Sequence, residues 1–267
     1  MSFYSVPANS PKEHKAVAEL INNGLDSKEI YRAAYTFHRI KIEEELVKEN
    51  NLKVQFGYFK DMLLHNESIG SSLLPKWQGT YETELISIIQ THSNSINSFV
   101  NIGCAEGYYL TGIARMLNIN CYGTDIDKNF ESIVKNIASK NNISNLVHYC
   151  YTIEDCIKNS SGSLLCLIDV EGSEIKVLNS LYEILKKNDN IDEIRLFIET
   201  DKNKDGSSNT DSIIESLINN NFKVLKIIEQ NPSMRFVASQ NNLSMLDQVV
   251  RGCEGRYADQ SWIMACK

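Results

Sequence analysis

Three groups of small and acidic residues define the chemistry open to this chain. The first is Asn101-Ile-Gly-Cys-Ala-Glu-Gly-Tyr-Tyr109, in which Gly103 and Gly107 follow an apolar run. Glycines there let backbone approach a ligand closely, and a helix opening at that point offers unpaired N–H groups. The second is Asp125, which ends the next apolar run ~20 residues further on, where an acid accepts hydrogen bonds from both ribose hydroxyls. The central glycine of a dinucleotide fingerprint is replaced by Ala105 and followed by Glu106. That carboxylate sits badly against a pyrophosphate, so a nucleoside ligand without phosphates fits better. The third group is Asp169, Glu171 and Glu174 around Gly172, closing the most apolar run in the chain. Carboxylates there cost free energy unless they are paired or used, so Asp169 and Glu171 are read as functional. Glu199 and Asp201 end the following run and face the same crevice. Glu154 and Asp155 lie just after the third strand, where the edge of a base is expected, or serve only as solvated loop acids.

Positioning these groups requires alternating strands and helices. Phe99, Val100 and Ile102 read as a strand, and Leu110, Ile113, Ala114 and Leu117 as one helix face. A second short strand leads to Asp125. A helix over 130–139, a strand over 146–151, an apolar strand over 163–169, a helix from Ser173 to Leu185 and a strand over 193–199 follow. A helix through Ile213 and Ile218, a strand over 222–228 and a last strand over 260–266 complete the pattern. The continuous run at Leu164-Leu-Cys-Leu-Ile168 is of the kind buried on both faces of a parallel sheet. Before it, Pro11 to Asn50 is helical, broken at Asn22-Asn-Gly24, with Ser27 as the expected N-cap. The apolar faces of this arm must be buried on the main domain or on a second copy of the chain, giving a homo-oligomer. Residues 1–50 are therefore read as a helical arm and 51–267 as the ligand-binding domain. Val54 to Phe59 and Met62 to Leu64 suggest a hairpin or irregular cover. Thr80 is the expected cap of a helix through Leu85, Ile88 and Ile89.

The chain has 267 residues, a formal net charge of -7, 42% hydrophobic and 23% charged residues. The length suits one α/β domain with an accessory segment. The acidic balance argues against nucleic acid as a partner, because phosphate-backbone binding rests on clustered Lys and Arg. No apolar run approaches the ~20 residues that span a bilayer, and the opening Met-Ser-Phe-Tyr-Ser-Val-Pro lacks a signal-peptide pattern, so a cytoplasmic location without membrane contact is expected. Seven cysteines (Cys104, Cys121, Cys150, Cys156, Cys166, Cys253, Cys266) show no zinc or redox spacing and read as reduced, mostly buried thiols.

The first two groups together resemble the cofactor-binding half of class I S-adenosylmethionine-dependent methyltransferases. Leu167-Ile-Asp-Val-Glu-Gly-Ser-Glu-Ile-Lys-Val-Leu178, followed by Leu196-Phe-Ile-Glu-Thr200, resembles more narrowly the FkbM-type methyltransferases. The resemblance covers about Trp77 to Ile228 and implies an α/β, Rossmann-like, seven-stranded, mostly parallel sheet with helices on both faces and an antiparallel last strand. It implies S-adenosyl-L-methionine cradled by Gly103, Ala105 and Gly107 beside Tyr108, its ribose on Asp125 and its adenine near Ile126, Ile153 and Glu154. Asn101 stands where many such enzymes carry an acid for the amino-acid moiety, and Glu106 or Glu82 is the candidate replacement. The implied reaction is O-methylation of a hydroxylated small molecule, a sugar or secondary metabolite of natural-product biosynthesis. Asp169 or Glu171 would act as base or acceptor-orienting group. In a variant, Asp169, Glu199 and Asp201 converge on a divalent ion such as Mg²⁺ that lowers the pKa of a bound hydroxyl. None of His14, His38, His65, His92 and His148 falls at a strand end. Tyr108, Tyr109, Trp77, Arg235, Arg251 and Arg256 are candidates for the acceptor pocket. The rival readings are an NAD-dependent oxidoreductase, which Ala105-Glu106 disfavours, and a non-catalytic nucleoside-binding module of the same fold.

Overall fold

Strand and helix alternate because short continuous apolar runs, buried on both faces, give way along the chain to apolar residues spaced at 3.6. The computed structural model describes residues 12–50, 52–201, 206–230, 235 and 260–267. Its strands are β1 (Ser98–Ile102), β2 (Asn120–Thr124), β3 (Val147–Tyr149), β4 (Gly162–Ile168), β5 (Ile191–Glu199), β6 (Lys223–Glu229) and β7 (Ser261–Cys266). They form one seven-stranded sheet in the order β3-β2-β1-β4-β5-β7-β6. Strands β1 to β5 run parallel, and β7 is antiparallel to both β5 and β6. Order reverses between β1 and β4, which opens a crevice at their carboxyl ends.

Successive residues of β1 and β4 face opposite sides, so each strand feeds two cores. Phe99, Leu165 and Leu167 pack with α2 (Ser27–Lys48), α3 (Leu73–Gln78), α4 (Thr83–Thr91) and α5 (Tyr108–Leu117). Val100, Ile102, Leu164, Cys166 and Ile168 pack against α7 (Ile153–Lys158), α8 (Glu174–Leu185) and α9 (Thr210–Asn219). Helices α1 (Lys12–Asn22) and α6 (Phe130–Lys140) complete the set. No helix among the described residues is long and apolar enough to cross a membrane.

The arm's second helix is fastened to the body. Tyr35, Ile42 and Leu46 of α2 are buried in the same cluster as Leu73, Leu74 and Trp77 of α3. Glu43 accepts the Leu74 N–H at 2.8 Å while Arg39 holds its carboxylate. The cap of α2 is Asp26 rather than Ser27, closing a capping box with Glu29. Residues 52–64 form an irregular cover with one antiparallel bridge, Lys53 to Leu63. Thr80 does not cap α4; Glu82 does, with left-handed φ of 44°.

Candidate functional site

The carboxyl ends of β1, β2, β4 and β5 open into a cavity of about 910 Å³. That volume suits a ligand of drug size with room for a second small molecule. Its wall includes Asn101, Gly103, Ala105, Glu106, Tyr108, Asp125, Ile126, Ile153, Asp169, Glu171, Glu199 and Asp201. These twelve, and Tyr109 with them, were singled out in the sequence by spacing or by the family resemblance, and they meet around one space. Glu82, Gly107 and Glu154 do not line it.

The two glycines serve the fold more than the ligand. Gly103 has φ of +83°, and a Cβ there would stand 1.7 Å from the Asp169 carbonyl oxygen, so only glycine lets β1 end against β4. Gly107, with φ of +87°, caps α5, and a Cβ there would press on Val134 at 3.0 Å. Ala105 between them takes a left-handed φ of 43° and donates its N–H to Asp125 Oδ2 at 2.9 Å. The other oxygen, Oδ1, accepts from the Asp127 N–H at 3.1 Å. Both bonds fix the carboxylate at the cavity wall and leave it further acceptor capacity. Cys104, beside it, is buried, and burial together with the Asp125 charge pushes its thiol well above the ordinary range, away from nucleophilic use.

At the inner end, the Glu106 carboxylate pairs with Lys76 of α3, both side chains only 5% exposed. Lys76 also lies 5.0 Å and 5.1 Å from the ring centres of Tyr81 and Tyr108. Tyr108 meets Tyr81 and Tyr109 edge-on, and the Tyr109 hydroxyl donates to the Glu82 carboxylate. Burial, then the Glu82 charge, raises both phenols, so they remain protonated donors. Asn101 is 1% exposed, and its Nδ2 has no hydrogen-bond partner among the described residues. A buried donor left over at a cavity wall points to a ligand acceptor.

At the β4 and β5 end, Asp169 and Glu171 follow the strand, and Glu171 has a left-handed φ of 43°. Glu174 is buried, accepting from the Gly172 N–H at 2.7 Å and the Asn209 amide at 2.8 Å, so it organises the loop and does not line the cavity. Glu199 accepts from Gln230 at 2.6 Å. Asp201 lies past the strand end, its N–H bonded to Asn209. Among the described residues no group of three His, Cys, Asp or Glu could hold a metal ion, so Asp169, Glu199 and Asp201 share the cavity without converging. The expected Mg²⁺ set does not fit.

Other expectations fall away for packing reasons. Glu154 is exposed in the first turn of α7, and Asp155 is held by the Thr152 cap. Trp77 is 4% exposed in the α2–α3 core, and Arg235 pairs with Glu84 instead of lining the cavity. Arg251, Arg256 and Cys253 lie outside the described residues. Periodicity missed Lys76, Tyr81, Tyr151 and the 69–71 loop. The one signal for Lys76 was a single cation inside Leu73-Leu-Pro-Lys-Trp77.

Strand order and the single antiparallel strand are those of the Rossmann-like methyltransferase fold. No protein family and no curated protein matches the chain. Solved structures of similar backbone include "StiE O-MT", at 13% identity over 69% of this chain and 73% of that chain, TM-score 0.45. Another is geranyl diphosphate C-methyltransferase from Streptomyces coelicolor A3(2), at 10% over 84% and 96%, TM-score 0.47. A third is the N-terminal domain of human METTL16 in complex with SAH, at 16% over 97% and 95%, TM-score 0.47. Likeness of this degree carries no argument about chemistry, and a fold hosts many activities. Function has to be read from the cavity.

Proposed function

We propose that the chain is an S-adenosylmethionine-dependent methyltransferase acting on a hydroxyl of a small polar acceptor. One observation carries the reading: the buried Lys76–Glu106 pair stands at the glycine turn of a nucleoside crevice. A pyrophosphate at that turn would meet a carboxylate. A nucleoside ending in an α-amino acid presents an ammonium to Glu106 and a carboxylate to Lys76, with the spare Asn101 Nδ2 donor on the wall of the same cavity. Asp125 would receive the ribose hydroxyls, and Ile126, Ile153 and Tyr151 the faces of the base.

When bound, S-adenosylmethionine supplies an electrophilic methyl group on a sulfonium. The chain's own task is to align the acceptor oxygen and take its proton. Asp169 is the proposed base, and Glu171 the group that orients the acceptor, because both line the cavity just past the carboxyl end of β4. The wall there adds Ser71, Ser173 and Ser180, hydroxyl groups suited to a sugar or another polyhydroxylated metabolite.

Calorimetry with S-adenosylhomocysteine and with NAD tests the donor. Binding of the former on the order of micromolar, with none of the latter, is expected; the reverse result overturns the reading. Release of S-adenosylhomocysteine across a panel of hydroxylated metabolites tests the chemistry. Asp169→Asn should cut that turnover by roughly 10²–10⁴-fold while leaving donor affinity largely intact. Retained turnover would move the base elsewhere.

A further inference from the structure

A loop outside both the glycine turn and the strand ends crosses the cavity. Ile69, Gly70 and Ser71 line its wall. On one side the loop is tied to Glu106: the Ile69 N–H donates to Oε2 at 3.3 Å and the Ser68 hydroxyl to Oε1 at 3.5 Å. The Ser68 and Ser71 hydroxyls lie 2.9 Å apart. On the other side, a Cβ placed on Gly70 would stand 3.7 Å from Oε1 of Glu171. The loop thus reaches from the residue assigned to the donor's ammonium to the residue assigned to the acceptor.

Glu106 has a limited set of acceptor positions, roughly four for two carboxylate oxygens. Lys76 occupies one with a charge-assisted bond. The two loop bonds are long for their types. A ligand ammonium forms shorter bonds, roughly twice as strong as neutral ones. In competition for Glu106, the loop's bonds give way first.

We infer that residues 68–71 form a strap, latched by Glu106 over the acceptor end, and that the methyl donor's ammonium releases it, so that donor binds before acceptor. The inference rests on the donor assignment above. A ligand shifts such an equilibrium only by its differential interaction with the two states, here the competition for one carboxylate. Coupling is reciprocal, so a weaker latch must tighten donor binding.

Amide exchange of Ile69, followed by NMR in the full-length chain with and without saturating S-adenosylhomocysteine, reads the latch directly. Exchange should speed severalfold on saturation, and Ser68→Ala should tighten S-adenosylhomocysteine binding roughly twofold or more. A purely structural role for Ser68 would leave that affinity unchanged or weaken it. If the ligand binds and Ile69 exchange stays constant or slows, the strap is not coupled and the inference fails. If the ligand does not bind at all, the donor assignment fails. In that case Glu106→Gln still reads the latch, because unchanged Ile69 exchange in that variant removes it.

Discussion

Lys76 and Glu106 are the residues that separate this cavity from a generic nucleotide crevice. Burying each ion costs several kcal/mol, and attraction across a low-dielectric wall offsets this only with good geometry and further hydrogen bonds. Glu106 has such bonds from Ser68 and Ile69, and Lys76 has the two tyrosine faces. Lys76→Met alone would leave a buried carboxylate without its cation and should lower stability by about 3–5 kcal/mol. Replacing both, with Lys76→Met and Glu106→Leu together, should recover most of that loss, while both variants lose S-adenosylhomocysteine binding. Urea melts and calorimetry on the two proteins check this. A double variant that binds like the wild type would take the pair out of ligand recognition.

At the scale of elements, the site is built where strands stop and helices start. Two non-glycine residues in left-handed conformation stand at such junctions, Ala105 before α5 and Glu171 before α8, and a third, Glu82, stands between α3 and α4. Each is costly by roughly 1–3 kcal/mol and persists only because surrounding structure fixes it. Glu174 supplies that fixing for α8, bonding Gly172 behind it and Asn209 across from it. Burial raises its carboxyl above the ordinary value near 4.5, partly countered by backbone hydrogen bonds. The folded state then binds more protons than the unfolded state in the window just above that value, so this group's contribution falls as pH rises through it. Glu174→Gln removes that dependence. The difference in Tm, variant minus wild type, should become more positive as pH rises from about 4.5 and then level off. A flat difference in thermal scans across that range would show that Glu174 is not the group responsible.

For the whole molecule, the arm and the sheet share one core through α2 and α3, and α3 carries Lys76. Leu46, 7% exposed on α2, should therefore report on the site from a distance. Leu46→Ala should cost about 2–5 kcal/mol, shift one common unfolding transition in scanning calorimetry, and weaken S-adenosylhomocysteine binding. Two separated transitions would mean that the arm folds by itself. The apolar runs of β1, β4 and β5 and the helical faces of α5, α6 and α8 were legible in the chain because each depends on residues close to one another in sequence. So were Asp125, Asp169 and Glu171, because the switch in strand order puts strand-end acids into one crevice wherever they occur. The sequence alone therefore determined the alternation of elements, their apolar faces and the strand-end acids around the crevice. Only the tertiary structure decided that Gly103 is required by the Asp169 carbonyl, that Glu154 stays outside while Lys76 comes in, and that Asp169, Glu199 and Asp201 do not converge. Those outcomes hang on contacts such as Lys76 with Glu106, 30 residues apart, and Gly70 beside Glu171, which no local period encodes because packing across the cavity sets them.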